Sequence, residues 1–178
     1  MLFLIFLDFI WSVSAFIYDW SKFATIPWFV LPFVVICPIY PLLLAIVWIK
    51  IFKKKNPNQY LFTFATIPSM IFGLLALIYY PVAMFYQGFS LNAFGQIFWV
   101  LFYSIQAWYL FFKYKTSTLP IILVLFYLSI KFFIDYKYLT FGYLDFSNIP
   151  RVLILYFTII AVSVAFCLGT LAIFRRKS

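Results

Sequence analysis

Long apolar stretches, separated by short polar or basic linkers, constrain the fold of this 178-residue chain more than any other feature of its sequence. A helix needs about 20 apolar residues to cross about 30 Å of hydrocarbon, and six stretches approach or exceed that length. They cover residues 2–18, 27–49, 60–85, 93–112, 119–136 and 151–174. We therefore predict an all-α integral membrane protein, folded over residues 1–178 as a single six-transmembrane-helix bundle.

The composition supports this class. Apolar residues make up 67% of the chain and charged residues 10%, whereas soluble domains average about 45–50% and about 25%. Too few polar side chains remain to cover a globule in water. A cytosolic enzyme, a secreted domain and a disordered chain are all excluded.

The first stretch is short and has Asp8 near its middle. A signal peptide is the competing interpretation, because Val13-Ser14-Ala15 resembles a small-residue cleavage site. However, no lysine or arginine precedes the apolar run, and Asp8 interrupts it. We therefore expect a transmembrane helix here.

Prolines crowd the second and third stretches, and proline removes a backbone donor from a helix. The second stretch contains Pro27, Pro32, Pro38 and Pro41, and the third contains Pro68 and Pro81. We predict that both helices are broken and that the second becomes regular near Pro38 or Pro41, after an irregular or re-entrant entry. Such breaks either form a substrate site from unwound backbone or are ordinary kinks.

The distribution of positive charge predicts the orientation. If the loop after the second stretch is cytoplasmic, nine basic residues lie inside and four lie outside. The inner set is Lys50, Lys53, Lys54, Lys55, Lys113, Lys115, Arg175, Arg176 and Lys177, and the outer set is Lys22, Lys131, Lys137 and Arg151. Because cytoplasmic loops carry the excess of lysine and arginine, we predict a multi-pass protein of the cell membrane with both termini in the cytoplasm.

The net charge of +9 does not indicate nucleic acid. Most of the basic residues flank helix ends, where anionic lipid headgroups neutralise them, and they form no nucleic-acid face. The six tryptophans lie mostly near the ends of the stretches, as in an aromatic belt. The connection 137–148 is rich in aromatic residues, and we expect it to lie along the membrane interface.

Three ionisable residues fall inside the predicted spans, where each costs a few kcal/mol unless it is paired or hydrated. Lys131 and Asp135 are four apart, on one face of the fifth helix. We interpret them as an ion pair whose lysine extends to the outer headgroups, with an ion or proton relay as the alternative. Asp8 has no local partner and should face another helix, either as a packing contact or as a substrate or subunit contact.

Neutral polar residues inside the spans are few. Thr66 and Ser69 share a helix face with Gly73, which is typical of close helix packing. Gly169 forms a similar face with Ala165 and Ala172 on the last helix. Gln106, on the fourth helix, is a further candidate functional or packing residue.

The residues of familiar catalytic and metal sites are missing. The chain has no histidine and no glutamate, which removes the commonest general base and metal ligand. No phosphate-binding glycine loop and no catalytic triad pattern is present. Cys37 and Cys167 lie in apolar runs, so we interpret them as buried hydrophobes and not as a disulfide. We predict no catalytic, cofactor-binding or metal-binding residues and no cofactor.

Three stretches carry a resemblance to a known family. The first is Ile-Pro-Trp-Phe-Val-Leu-Pro-Phe at 26–33, followed by Cys37-Pro38. The others are residues 108–115, which end the fourth helix, and Ile134-Asp135-Tyr136. In order and spacing they resemble a family of small multi-pass membrane proteins of bacteria and archaea, catalogued as domain of unknown function 1405.

This chain is similar to a divergent member of that family. Ile36 stands where the family has an aspartate, and the residues 130–132 replace a His-Asn-Asp run. The family's histidines have no counterpart here. The resemblance implies a six-span fold and no activity, since the family's function is unassigned.

We expect the chain to be an accessory or structural subunit of a larger membrane complex, without catalytic chemistry of its own. Its partners would be the lipid bilayer and other membrane protein subunits. The alternative is a small transporter or channel for an ion or small solute, with Asp8, Pro68, Pro81 and the pair Lys131 and Asp135 lining the path. An intramembrane lipid enzyme is disfavoured, because only aspartates are available as a base.

Overall fold

Six α-helices are found in the computed structural model, which describes residues 1–23, 36–138 and 149–177. They are α1 (Leu2–Phe23), α2 (Ile36–Phe52), α3 (Gln59–Gln87), α4 (Leu91–Lys113), α5 (Thr118–Tyr138) and α6 (Arg151–Lys177). The described residues contain no β-strand. The prediction of an all-α chain is therefore confirmed for this part of the protein.

Three of the helices are long and apolar enough to cross a membrane. These segments are Gln59–Gln87, Thr118–Lys137 and Arg151–Phe174. Shorter apolar segments lie at Leu2–Ile17 and Pro38–Phe52. The 23-residue α4 is long enough to cross a membrane but is not among these segments. These apolar helices support the prediction of a helical membrane protein.

Helix α3 lies at the centre of the bundle. It packs against α2, α4, α5 and α6, whereas α1 packs mainly against α2. Ser12 of α1 donates a hydrogen bond to the carbonyl oxygen of Pro38 at 2.6 Å, which joins α1 to α2. The core is therefore built around α3, with α1 at the periphery.

Small residues allow the close approach between helices that the sequence predicted. A Cβ atom placed on Gly73 of α3 would overlap with the side chain of Ser104 in α4. A Cβ atom on Gly169 of α6 would overlap with the side chain of Leu125 in α5. Both predicted packing faces, on the third and on the last helix, are confirmed.

The predicted break of the third helix is wrong, because α3 continues through both Pro68 and Pro81. Hydroxyl groups near Pro68 bond back to carbonyl oxygens of the preceding turn. Thr66 donates to the Phe62 oxygen at 2.8 Å, and Ser69 donates to the Ala65 oxygen at 2.6 Å. Neither acceptor is the carbonyl four residues before Pro68, so these bonds accompany the proline without replacing the hydrogen bond that it removes.

Helix α2 begins at Ile36 and includes Pro41 within its regular part, so it is not broken there either. Because residues 24–35 lie outside the described part of the chain, the onset expected near Pro38 or Pro41 stays a prediction. The irregular entry predicted for residues 27–35, which includes Pro27 and Pro32, lies outside the described residues. The same is true of residues 139–148, most of the predicted interfacial connection.

Two connections meet at one end of the bundle. The hydroxyls of Thr63 and Thr116 are hydrogen-bonded at 2.6 Å, and the backbone N–H of Ser117 donates to Gln59 Oε1 at 2.8 Å. The loop between α2 and α3 therefore lies beside the turn between α4 and α5. Both connections are basic, with Lys53–Lys55 in one and Lys115 in the other.

Candidate functional site

Asp8 is at the centre of a polar contact between three helices. Its side chain is buried, with the residue 1% exposed. Gln106 of α4 donates its Nε2 hydrogen to Asp8 Oδ1 at 2.9 Å, and Trp48 of α2 donates its Nε1 hydrogen to Gln106 Oε1 at 2.7 Å. The expectation that Asp8 faces another helix is confirmed, and Gln106 is its partner.

Within the described part of the chain, one carboxylate oxygen of Asp8 accepts a hydrogen bond and the other does not. Asp8 Oδ2 is buried and has no hydrogen-bond partner among the residues that the structure describes. A buried polar atom without a partner costs free energy, and an ionisable residue inside a membrane commonly marks a functional site. Asp8 therefore stands out among the described polar residues.

Trp48 corrects one detail of the predicted aromatic belt. It is buried and hydrogen-bonded inside the bundle, so it does not face the headgroups. A position near a helix end is the sequence signal for an interfacial tryptophan. A tryptophan that is buried between helices, as Trp48 is, can have the same position. Only the contact with Gln106, 58 positions away in the chain, distinguishes them.

A groove lies beside this polar contact. It has a volume of about 580 Å³ and is formed by the start of α1, the end of α2 and the last three turns of α4. Its lining consists of Met1, Leu4, Trp48, Ile51, Phe102, Ile105, Gln106, Tyr109 and Lys113. We call it the α1–α2–α4 groove. Sequence reasoning did not predict it, because its walls come from three separate parts of the chain.

Lys113 lies at the polar end of the α1–α2–α4 groove. Its Nζ donates a hydrogen bond to the Tyr109 hydroxyl at 3.1 Å and lies 5.4 Å from the centre of the same ring. That hydrogen bond raises the pKa of Lys113, which is exposed at the end of α4. The amine is therefore a cation at neutral pH.

Lys131 and Asp135 form the predicted ion pair on α5. Their side chains are only 2% and 1% exposed, and Lys131 Nζ also lies 5.4 Å from the centre of the Phe72 ring on α3. The expectation that Lys131 extends to the outer headgroups is wrong. The amine instead turns inward, because Asp135 and the face of Phe72 both attract its charge.

Aromatic residues of several helices surround the ion pair. Tyr40 of α2, Tyr79 of α3 and Tyr127 of α5 lie within electrostatic range of Asp135. The hydroxyl of Tyr79 donates to the Phe157 carbonyl oxygen of α6 at 2.9 Å. Because the chain has 14 tyrosines, the sequence alone did not identify these three as neighbours of the ion pair.

Thr66 and Ser69 take no part in either polar cluster. Both residues are fully buried, and both hydroxyls bond to carbonyl oxygens of α3 itself. Their side chains therefore serve packing, in agreement with the small-residue interpretation.

The cysteines and the possible metal ligands add no further site. Cys167 is a free, exposed thiol on α6, so the expectation that it is buried is wrong. The side chain of Cys37 lies outside the described residues. In the part of the chain that the structure describes, no three histidine, cysteine or acidic residues come together as metal ligands would.

No protein-family model, curated protein or solved structure matches this chain. Resemblance to the uncharacterised membrane family therefore stays a prediction.

Proposed function

We propose that this chain is a multi-pass protein of the cell membrane that serves as a non-catalytic accessory or structural subunit of a larger membrane complex. One observation carries the proposal. The ion pair of Lys131 and Asp135, one of the candidates for transport chemistry in the sequence, is buried inside the bundle. An ion or proton relay needs ionisable groups that water or an ion can reach, whereas both charges of this pair lie on α5 and are buried, with the Lys131 amine against the Phe72 ring of α3.

Helix lengths support six spans. At about 1.5 Å per residue, the 22 residues of α1 and the 23 residues of α4 each extend about 33–35 Å, enough to cross about 30 Å of hydrocarbon. The α2–α3 loop and the α4–α5 turn lie together, as an even alternation of spans requires. The positive charge of this end supports a cytoplasmic location and, with six spans, cytoplasmic termini.

The outer surface supports the subunit role. Helix α1 packs mainly on α2 and leaves large apolar side chains exposed, among them Phe3, Phe6 and Phe9. Helix α6 similarly exposes Phe166 and Leu171. Without a hydrophobic driving force in lipid, such faces associate through shape and packing with other transmembrane helices.

Photo-crosslinking in native membranes tests this proposal. A photoreactive benzoylphenylalanine would be incorporated in place of exposed Phe166 of α6, with the unsubstituted chain as the matched control. We expect a discrete protein adduct at position 166, and the same protein should co-purify in mild detergent. Adducts with lipid alone, together with a lone 21.1 kDa monomer in detergent, would overturn the subunit role.

A second candidate function, a small transporter or channel, is favoured by one observation. Asp8 Oδ2 is buried without a partner in the described part of the chain, and Gln106 joins Asp8 to the α1–α2–α4 groove. Flux measurements in proteoliposomes test this alternative. If transport passes through this region, the flux of ions or small solutes should be lower in Asp8→Asn than in the wild-type protein. A flux of ions or small solutes that is lost in Asp8→Asn but kept in Asp135→Asn would favour transport, and no flux in the wild-type protein would contradict it.

A further inference from the structure

The α1–α2–α4 groove has the dimensions of one lipid chain. It follows α4 from Phe102 to Lys113, a rise of about 16 Å at about 1.5 Å per residue. Half of the hydrocarbon core is about 15 Å thick. The groove therefore extends over about one leaflet, from the helix end inward.

The walls of the groove suit an acyl chain, and its end suits an anion. Leu4, Ile51, Phe102 and Ile105 contribute apolar side chains. At the helix end, Lys113 is hydrogen-bonded to the neutral hydroxyl of Tyr109, so its positive charge is not compensated by that contact. The groove is therefore cationic at one end and apolar along the rest of its length. These two parts complement the anionic headgroup and the apolar chain of a phospholipid.

Charge at this end of the bundle is complementary to an anionic headgroup. Lys50 and Lys53–Lys55 are exposed at the end of α2 and in its following loop. Asp8, the seventh residue of α1, is hydrogen-bonded to Gln106 of α4. Gln106 is seven positions before Lys113, which is about 10 Å along the helix. The Asp8 carboxyl group does not line the groove, and it lies behind Gln106, away from the headgroup end.

We propose that the α1–α2–α4 groove binds one anionic membrane phospholipid, with the headgroup phosphate on Lys113 and one acyl chain lying along α4 toward Phe102. Basic pockets between transmembrane helices are typical sites for anionic headgroups. The cytoplasmic leaflet as the source of the lipid rests on the proposed orientation, but the binding itself does not depend on the subunit role.

Native mass spectrometry of the full chain in mild detergent tests the proposal. The probes are phosphatidylglycerol and phosphatidylcholine with identical acyl chains, and glycerol phosphate as a headgroup without chains. We expect one tightly retained phosphatidylglycerol per protein and weaker retention of phosphatidylcholine. Lys113→Gln should weaken the binding of phosphatidylglycerol about fivefold, because a lysine near anionic lipid contributes about that factor.

Lys115→Gln is the matched control, because it removes the same charge from an exposed position that does not line the groove. Its lipid binding should equal that of the wild type. Equal losses in Lys113→Gln and Lys115→Gln would overturn the site in favour of diffuse surface charge. Equal retention of the two lipids, or equal binding of glycerol phosphate alone, would also overturn it.

A second variant tests the chain-binding part of the groove without changing charge. Ile105 is exposed and lines the groove, so Ile105→Trp should fill it and weaken retention of both lipids. Unchanged retention in this variant would show that the acyl chain lies elsewhere. A second copy of the protein bound in place of lipid would likewise overturn the proposal.

Discussion

Lys131 and Asp135 are the residues whose individual contribution is easiest to measure. Each charge is buried and is stabilised by the other, and the Lys131 amine also lies over the face of the Phe72 ring. Removal of one partner leaves an uncompensated buried charge, which typically costs about 3–5 kcal/mol. We therefore expect Lys131→Met and Asp135→Leu each to lower the free energy of unfolding in detergent by about that amount.

The double variant Lys131→Met/Asp135→Leu separates packing from charge. Replacement of a whole buried ion pair by apolar residues is often neutral or stabilising, so the double variant should be close to the wild type in stability. A double variant as unstable as the two single variants combined would contradict this account. A complete double-mutant cycle gives the coupling energy directly.

Gln106 has a different role, because it bonds to two partners at once. Gln106→Leu would leave both Asp8 Oδ1 and the Trp48 N–H without partners, and each unsatisfied buried group costs about 1–3 kcal/mol. We expect a marked fall in the unfolding free energy. Asp8→Asn is the control, since its amide oxygen can still accept from Gln106. Equal effects of the two variants would show that the charge of Asp8, and not the hydrogen bonds, stabilises the contact.

At the scale of helices, close packing predicts an order among three glycine substitutions. Gly73→Ala should lower the free energy of unfolding most, by about 1–3 kcal/mol. The new methyl group would overlap with the Cβ atom of Ser104, which cannot move away without the Ser104 backbone. Gly169→Ala should cost less, since the obstacle is the flexible end of Leu125. Gly95→Ala should be neutral or stabilising, because nothing lies within 4 Å and alanine favours a helix.

Melting temperatures in detergent measure this order. The variant Gly73→Ala/Ser104→Gly should recover part of the loss, because it reopens the space between α3 and α4. A Gly95→Ala variant as unstable as Gly73→Ala would show that the glycines act through the backbone and not through packing.

Helix positions could be predicted from sequence because they depend on local patterns. The stretch predicted at 60–85 is Gln59–Gln87 in the structure, and that predicted at 151–174 is Arg151–Lys177. The break at Pro68 was mispredicted, because a proline removes one hydrogen bond and need not end a helix that other helices surround, and α3 packs against four of them. The ion pair on α5 was predictable from its spacing of four, but the inward direction of Lys131 depends on Phe72, in another helix.

The polar contact of Asp8 could be predicted only in part. A buried carboxyl group had to face another helix, but its partner is 98 positions away, and no local pattern identifies it. The groove beside it depends on how three helix ends come together. Features of this kind follow from the tertiary packing and not from the periodicity of any one segment.

At the scale of the whole molecule, the proposed topology predicts which loops are accessible from each side of the membrane. Lys55, between α2 and α3, should face the cytoplasm, whereas Gly88, between α3 and α4, should face outward. In a background without Cys37 and Cys167, an impermeant maleimide added to intact cells should label Gly88→Cys. It should label Lys55→Cys only after the membrane is permeabilised.

The cause of this orientation can be tested by moving charge. The positive-inside rule assigns the decisive role to lysines in short loops near helix ends, and Lys53, Lys54 and Lys55 form the densest such group here. Their joint replacement by glutamine reduces the predicted inner total from nine basic residues to six, against four outside. We expect some molecules then to insert with the opposite orientation, so that Gly88→Cys is labelled less completely in intact cells. Unchanged labelling would show that helix packing, and not loop charge, determines the orientation.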